Sequence, residues 1–125
     1  MTHLARIAAG ALVCLSAADA FAEVSPARRA SQADLLRSFA AAQCVALAYD
    51  DAAVKADAGD AAGAYVEFGS LGPDAYEQAT ALAKVFLART YASKSGGKLQ
   101  LMKCIDLANS PELAALVARH ARRRK

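Results

Sequence analysis

The stretch from Phe86 to Leu113, FLARTYASKSGGKLQLMKCIDLANSPEL, constrains the fold more than any other part of the chain. It predicts the end of one helix, a Gly-rich connection, a helix that carries Cys104, and a new helix after Ser110-Pro111. A Ser N-cap followed by Pro at the first helical position is a typical helix start. Cys104 has one available partner, Cys44, because Cys14 lies in an N-terminal segment that we expect to be removed.

Residues 1–22 have the pattern of a cleaved secretory signal peptide. Two basic residues, His3 and Arg6, precede an apolar run, and Ala20-Phe21-Ala22 offers the small-x-small pattern that signal peptidase needs before Glu23. The apolar run is shorter than the roughly 20 residues that span a bilayer. The pattern therefore predicts secretion without stable membrane insertion, and an uncleaved N-terminal anchor is the alternative.

Removal of this segment leaves about one hundred residues, enough for one small domain. We expect a flexible lead-in at residues 23–30, a helical domain at 31–121 and a basic tail at 122–125. Two of the three cysteines remain, an even number in an oxidising compartment, which favours a disulfide. It would contribute about 4 kcal/mol in the chain-entropy account of a roughly 60-residue loop. A zinc site is less favoured, because these cysteines lack the paired short spacings of metal knuckles.

The domain is predicted to be all-α, with about five helices, because no stretch alternates with a period of two. The first helix begins at the N-cap Ser31, with Cys44 on its apolar face. The second covers the Ala-rich residues 52–70, with a break expected near Gly59. The third runs from Pro73 to about Ala92 as the longest helix. The fourth begins at Leu99. Its predicted inward residues are Leu101, Cys104, Ile105 and Ala108, and its predicted outward residues are Lys103 and Asp106.

Charge and residue types argue against an enzyme. The net charge is +3, but the basic residues gather at the C-terminus and the acidic ones between Asp50 and Glu77. A basic run can bind nucleic acid, yet a secreted protein rarely meets any, so a solvated tail is favoured. His120 is the only histidine after signal removal, which leaves no base for a catalytic triad. The acidic pairs lie around predicted helix ends, where capping explains them, so we expect no catalytic site, metal or cofactor.

The connection between the third and fourth helices breaks the helical pattern completely. It lacks the spacing of a phosphate-binding loop, and no strand precedes it. Two interpretations stand: a plain helix connector, which composition alone favours, or a small-residue cationic finger that enters a groove of another protein. The residues concerned are Ser93, Lys94, Ser95, Gly96, Gly97 and Lys98.

The order of four segments resembles the type VI secretion amidase immunity proteins, the fourth group of that effector–immunity system. The segments are AAQCVALAYDD at 41–51, DAAGAYVEFGS at 60–70, FLARTYAS at 86–93 and LMKCIDLANSPEL at 101–113. The last segment is the most specific, since its cysteine stands at the expected distance from the upstream one. Together with the signal peptide, the four segments cover nearly all of the chain.

The resemblance implies a periplasmic, all-helical homodimer that protects the producer and its kin. Its partner would be a cognate Cys/His amidase that cuts peptidoglycan, and inhibition would be steric, with surface that includes a projecting loop covering the catalytic cleft. Carried onto this chain, residues 93–98 become the predicted plug, and the helix around Asp57 and Asp60 a second contact. The alternatives are a helical envelope interaction module, a small envelope hydrolase, or an immunity protein of a related family with another effector.

Overall fold

A computed structural model describes residues 22–122, and within that range the chain folds into five α-helices. They are α1 (Gln32–Ala48), α2 (Ala52–Phe68), α3 (Pro73–Leu87), α4 (Gln100–Ala108) and α5 (Pro111–Arg122), with a 3₁₀ turn at Pro26–Arg29 before them. The described part of the chain contains no strand, as the absence of period-two alternation predicts. The predicted signal peptide lies outside the described residues except for Ala22.

Helix α1 is the centre of the fold, because it contacts each of the other four helices. Its start is set by Ser31, whose hydroxyl accepts a hydrogen bond from the Asp34 amide at 3.1 Å, so the predicted N-cap is confirmed. Buried residues along it include Leu36, Ala40 and Cys44. A disulfide joins Cys44 to Cys104 in α4, which confirms the predicted pairing and fixes α4 against the central helix.

Helices α3 and α5 pack beside α1 and against each other. Pro73 occupies the first position of α3, as predicted. The Ser110 hydroxyl accepts a hydrogen bond from the Leu113 amide at 3.1 Å, which confirms the predicted restart before α5. The apolar core is formed by three alanines and Phe86 of α3 together with larger side chains of the other helices. Its members include Leu36, Phe39, Ala75, Ala79, Ala83, Phe86, Leu107, Leu113, Leu116 and Val117.

Two predicted helix boundaries are wrong. Helix α3 ends at Leu87 rather than near Ala92, and it is shorter than α1 and α2, with 15 residues against 17 in each. At this end the Lys103 side chain of α4 donates a hydrogen bond to the Leu87 carbonyl, a contact that no local sequence signal predicts. Helix α2 continues through Gly59 without a break, since a single exposed glycine costs only about 1 kcal/mol relative to alanine.

The predicted orientation of α4 is also wrong. Lys103 is buried, with only 6% of its surface exposed, while Leu101 and Ile105 are each 53% exposed. Cys104 lies at the edge of both the predicted and the observed inward stripe, so the disulfide is compatible with either rotation of the helix. The observed rotation turns Lys103 and Leu107 inward and places three apolar side chains at the surface.

Candidate functional site

The connection between α3 and α4, residues 88–99, forms an exposed loop that we call the connecting loop. Its central residues 94–98 are exposed and Ser93 is half-buried. Among the described hydrogen bonds, those of the central segment stay within it: the Gly96 amide donates to the Ser93 carbonyl at 3.3 Å, and the Ser93 and Ser95 hydroxyls are 3.1 Å apart. The central segment is therefore an exposed turn, and its entry into a partner's groove stays a prediction.

Gly96 shapes the tip of the connecting loop. Its φ angle is +74°, in the left-handed region that glycine adopts more easily than other residues. A Cβ atom built at Gly96 would have no atom within 4 Å. The glycine is thus required by the backbone angle and not by crowding, and the space around the tip is open to a partner.

Lys103 binds the point where the connecting loop leaves α3. Its ammonium group donates to the Leu87 carbonyl at 3.1 Å and to the Gln100 side-chain oxygen at 3.2 Å. A buried ammonium is costly unless it has such partners, and the carbonyl end of a helix favours a cation. Gln100 donates in turn to the Ala48 carbonyl at 3.4 Å. The first turn of α4 therefore links the C-terminal ends of α1 and α3.

Tyr91 fixes the first part of the connecting loop to α4. Its hydroxyl donates to the Asp106 carboxylate at 2.7 Å. This hydrogen bond raises the pKa of Tyr91 above its ordinary value, with smaller contributions from burial and from the charge of Asp106, whereas Arg89 acts in the opposite direction. The phenol is thereby held in its neutral, donating form.

Arg89, near the start of the connecting loop, is also placed by side-chain contacts. Its guanidinium lies 3.5 Å from the centroid of the Phe86 ring and 3.5 Å from the Glu112 carboxylate. The ion pair is exposed and contributes little to stability. The pair connects the start of the connecting loop to the first turn of α5.

Asp57 and Asp60, the predicted second contact, are exposed on α2. Neither belongs to an ion pair among the described residues. The beginning of α2 lies beside the end of α1, since Lys55 donates to the Ala46 carbonyl at 3.5 Å. Gln100, at the end of the connecting loop, binds that same end of α1. The structure thus brings the loop and the beginning of α2, which carries Asp57, to a common end of the fold.

An apolar surface on α4 was missed by the sequence reasoning. Leu101, Met102 and Ile105 are about half exposed, and we call them the apolar α4 face. Two of them, Leu101 and Ile105, line a groove together with Ala41, Ala42, Val45, Ala61 and Tyr65 of α1 and α2. The sequence did contain a signal for this surface. A helix of nine residues that already buries Cys104 cannot bury three further large apolar residues on one stripe.

No group of three or more His, Cys, Asp or Glu residues in the range 22–122 could hold a metal ion. His120 is buried, where it contacts the Gln78 side chain at 3.2 Å and lies 4.0 Å from the Asp74 carboxylate, so its role is to pack α5 on α3. No helix in this range is long and apolar enough to cross a membrane.

The comparisons with known proteins agree on one family. A family profile described as "Type VI secretion system (T6SS), amidase immunity protein", Tai4, matches residues 34–117. No curated protein sequence matches significantly. A chain in a structure of the Tae4/Tai4 effector–immunity system from Salmonella typhimurium is 33% identical, with a TM-score of 0.74, over 78% of this chain and 97% of that one.

Two further structures share the fold at lower identity. One is the complex of the Salmonella typhimurium effector Tae4 with the immunity protein Tai4 from Enterobacter cloacae, at 23% identity and a TM-score of 0.67, covering 77% of this chain and 99% of that chain. The other is the Tae4–Tai4 complex from Enterobacter cloacae, at 23% identity and a TM-score of 0.68, covering 78% and 99%.

Proposed function

This chain belongs to the amidase immunity family of the type VI secretion system, and from that premise we propose that it is a periplasmic inhibitor of a secreted peptidoglycan amidase. In this proposal the protein binds its cognate Cys/His effector and covers the active-site cleft, so that the producer and its kin are protected. Inhibition is steric and needs no catalytic group of the inhibitor's own.

The connecting loop is the observation that carries the proposal. It combines an exposed, small-residue tip with ends that are bound to the helices through Leu87, Gln100 and Tyr91. A loop that is already ordered loses less conformational freedom when it enters a cleft, which favours tight binding. The positively charged Lys94 and Lys98 flank the two glycines and add polar contacts at the rim.

The exposed carboxylates of Asp57 and Asp60 support a second contact with the effector. An unpaired acidic surface attracts a basic partner and raises the association rate. Because the beginning of α2 lies at the same end of the fold as the connecting loop, a single partner surface can reach both. We assign Asp57 and Asp60 to steering and to the edge of the interface.

The apolar α4 face supports the proposed homodimer. Leu101 and Ile105 line a groove together with alanines of α1 and α2, and Met102 is exposed beside them on α4, so this face combines exposed apolar side chains with a depression. A two-fold dimer requires such a self-complementary surface, because the same patch must meet its own copy. A second copy of this chain is therefore the proposed occupant of the groove.

The proposal is tested by peptidoglycan hydrolysis with a candidate amidase encoded beside this gene, in the presence of the oxidised mature chain, residues 23–125. Complete inhibition at about a one-to-one ratio, with co-elution on gel filtration, is expected. Absence of both effects would remove this pairing and leave either another effector or the envelope-module interpretation.

A loop variant locates the inhibitory surface. Gly97→Phe adds bulk at the tip, where a new Cβ would meet only ordinary contacts, at 3.6 Å from the Ser95 hydroxyl and 3.8 Å from the Ser93 hydroxyl. We expect inhibition to weaken by at least about tenfold, the equivalent of about 1.4 kcal/mol, without loss of thermal stability. Ala114→Phe, at an exposed position of α5, is the matched control and should inhibit normally.

A further inference from the structure

We propose that Lys103 and Gln100 are positioning residues that hold the connecting loop in its binding conformation before any partner is present. The inference rests on the proposed function, because it assigns to these residues the preparation of the inhibitory loop. Neither residue is expected to touch the partner through its polar group, since Lys103 is 6% exposed and Gln100 is half-buried.

The geometry places one connected set of hydrogen bonds at the base of the loop. The Lys103 ammonium binds the Leu87 carbonyl, where the chain leaves α3, and also the side chain of Gln100, where α4 begins. These two points are the ends of the connecting loop. A single buried cation therefore sets the distance between the loop's ends, and Gln100 extends the link to Ala48 in the central helix.

Two other observations agree with an imposed loop conformation. Leu99, the last residue of the loop, has φ +52° and ψ +41°, a left-handed conformation that is unfavourable for a residue with a side chain and persists where the surroundings enforce it. The ring of Tyr91 lies 5.8 Å from the Lys103 ammonium, and its hydroxyl binds Asp106 one turn further along α4. The connecting loop is thus held at both ends and at Tyr91, whereas its tip, residues 94–98, is exposed.

Loss of the hydrogen bonds made by Lys103 and Gln100 should lower the population of the binding conformation of the loop. The residues that touch the partner would be unchanged. If the binding conformation is only fractionally populated, the apparent dissociation constant rises by the inverse of that fraction. The association rate should then fall, whereas the dissociation rate of the formed complex should remain close to that of the unmodified protein. A residue at the interface would instead be expected to change mainly the dissociation rate.

The test compares Lys103→Met with two controls. Methionine keeps the apolar stem and removes the ammonium, Lys103→Arg retains a cation, and Lys84→Met removes an exposed lysine of α3 with the same change in net charge. We expect Lys103→Met to bind the cognate amidase at least about tenfold more weakly through slower association. Lys103→Arg should recover part of the loss, and Lys84→Met should bind normally.

A measurement on the free protein separates this inference from the proposed function. Backbone order parameters of residues 92–98 should fall to about 0.6 or lower in Lys103→Met, a value typical of flexible segments, while those of the helices stay unchanged. If Lys103→Met fails to fold, Gln100→Met gives the same test, because it removes the links to Ala48 and to Lys103.

The outcomes are distinct. Unchanged order parameters together with normal binding by Lys103→Met would overturn the positioning role and leave the immunity function in place. If the unmodified protein binds no amidase, the proposed function fails. In that case the order parameters of residues 92–98 in the free proteins still test the positioning role. A fall in Lys103→Met supports it, and no change overturns it.

Discussion

Cys44 of the central helix α1 and Cys104 of α4 are bonded, with their Cα atoms 5.5 Å apart and both side chains buried. The bond closes a segment that contains α2, α3 and the connecting loop. The bond therefore fixes α4, which follows the connecting loop, to the central helix α1.

Removal of this disulfide should strongly destabilise the protein. Replacing both cysteines by alanine is expected to lower the free energy of unfolding by about 4 kcal/mol, because the cross-link restricts the unfolded chain over a 60-residue separation. Urea denaturation measures the change. The matched control is a reducing agent, which should destabilise the unmodified protein and leave the double variant unaffected. A loss below about 1 kcal/mol would contradict this account.

Two glycine-to-alanine substitutions should have opposite effects on stability. Gly63 lies exposed within α2, and a Cβ there would have no atom within 4 Å, so Gly63→Ala should stabilise by about 0.5–1 kcal/mol. A Cβ at Gly69 would lie 2.5 Å from the Tyr76 hydroxyl, and the Tyr76 ring packs edge-on against Phe39. Gly69→Ala should therefore destabilise by about 1–3 kcal/mol.

Thermal unfolding measures both glycine variants, since 1 kcal/mol moves the midpoint by about 4–8 °C in a domain of this size. Each variant serves as the control for the other, because the chemical change is identical. A lower unfolding midpoint for Gly63→Ala would contradict this prediction. It would indicate that a neighbouring group needs the space at Gly63.

A charge on the apolar α4 face should prevent self-association. Ile105→Asp introduces a carboxylate into the proposed interface between two copies, where it would be desolvated without a partner. Val85→Asp is the matched control, because Val85 is similarly exposed, at 56% against 53% for Ile105, but lies on α3. Light scattering after gel filtration should show a monomer for Ile105→Asp and a dimer for Val85→Asp. A dimer in both variants would place the interface elsewhere.

Neutralising the acidic surface on α2 should slow binding to a basic effector. The double variant Asp57→Asn, Asp60→Asn is expected to associate several-fold more slowly at low salt, with a weaker dependence of the rate on ionic strength. Glu67→Gln, near the other end of the same helix, should have a smaller effect. Stopped-flow or surface plasmon resonance measures the rates, and equal rates for the double variant and the unmodified protein would exclude steering by these residues.

The hydrogen bond between Tyr91 and Asp106 predicts a behaviour at alkaline pH. Because the pKa of Tyr91 is raised in the folded protein, the bond's contribution to stability is present below the ordinary tyrosine pKa of about 10. It is lost as the pH rises through the higher, folded value. Asp106→Asn removes the negative charge and should lower the pKa of Tyr91.

Carbon-13 NMR of labelled tyrosine rings measures this titration, and Tyr91→Phe assigns the signal. The change should be confined to Tyr91, and its pKa in Asp106→Asn should move toward the ordinary value. An unchanged titration in that variant would mean that the hydrogen bond is not what raises the pKa.

From its sequence alone, this chain could be predicted to be all-α, to begin helices at Ser31, Pro73 and Ser110-Pro111, and to pair Cys44 with Cys104. The helix starts depend on local chemistry, a capping hydroxyl or a proline angle, and the pairing follows from the two cysteines outside the predicted signal peptide. The sequence also located the exposed Gly-rich connection, because a run of glycine, serine and lysine interrupts the apolar periodicity of a helix.

Long-range packing sets where α3 ends, which side of α4 faces the core, and what holds the loop. Lys103 was expected outward because a lysine is rarely buried, yet the Leu87 carbonyl and the Gln100 side chain accept hydrogen bonds from its ammonium. The burial of Lys103 turns Leu101, Met102 and Ile105 to the surface. The hydrogen bond to Leu87 joins groups that are 16 residues apart, and no periodicity within one helix records it.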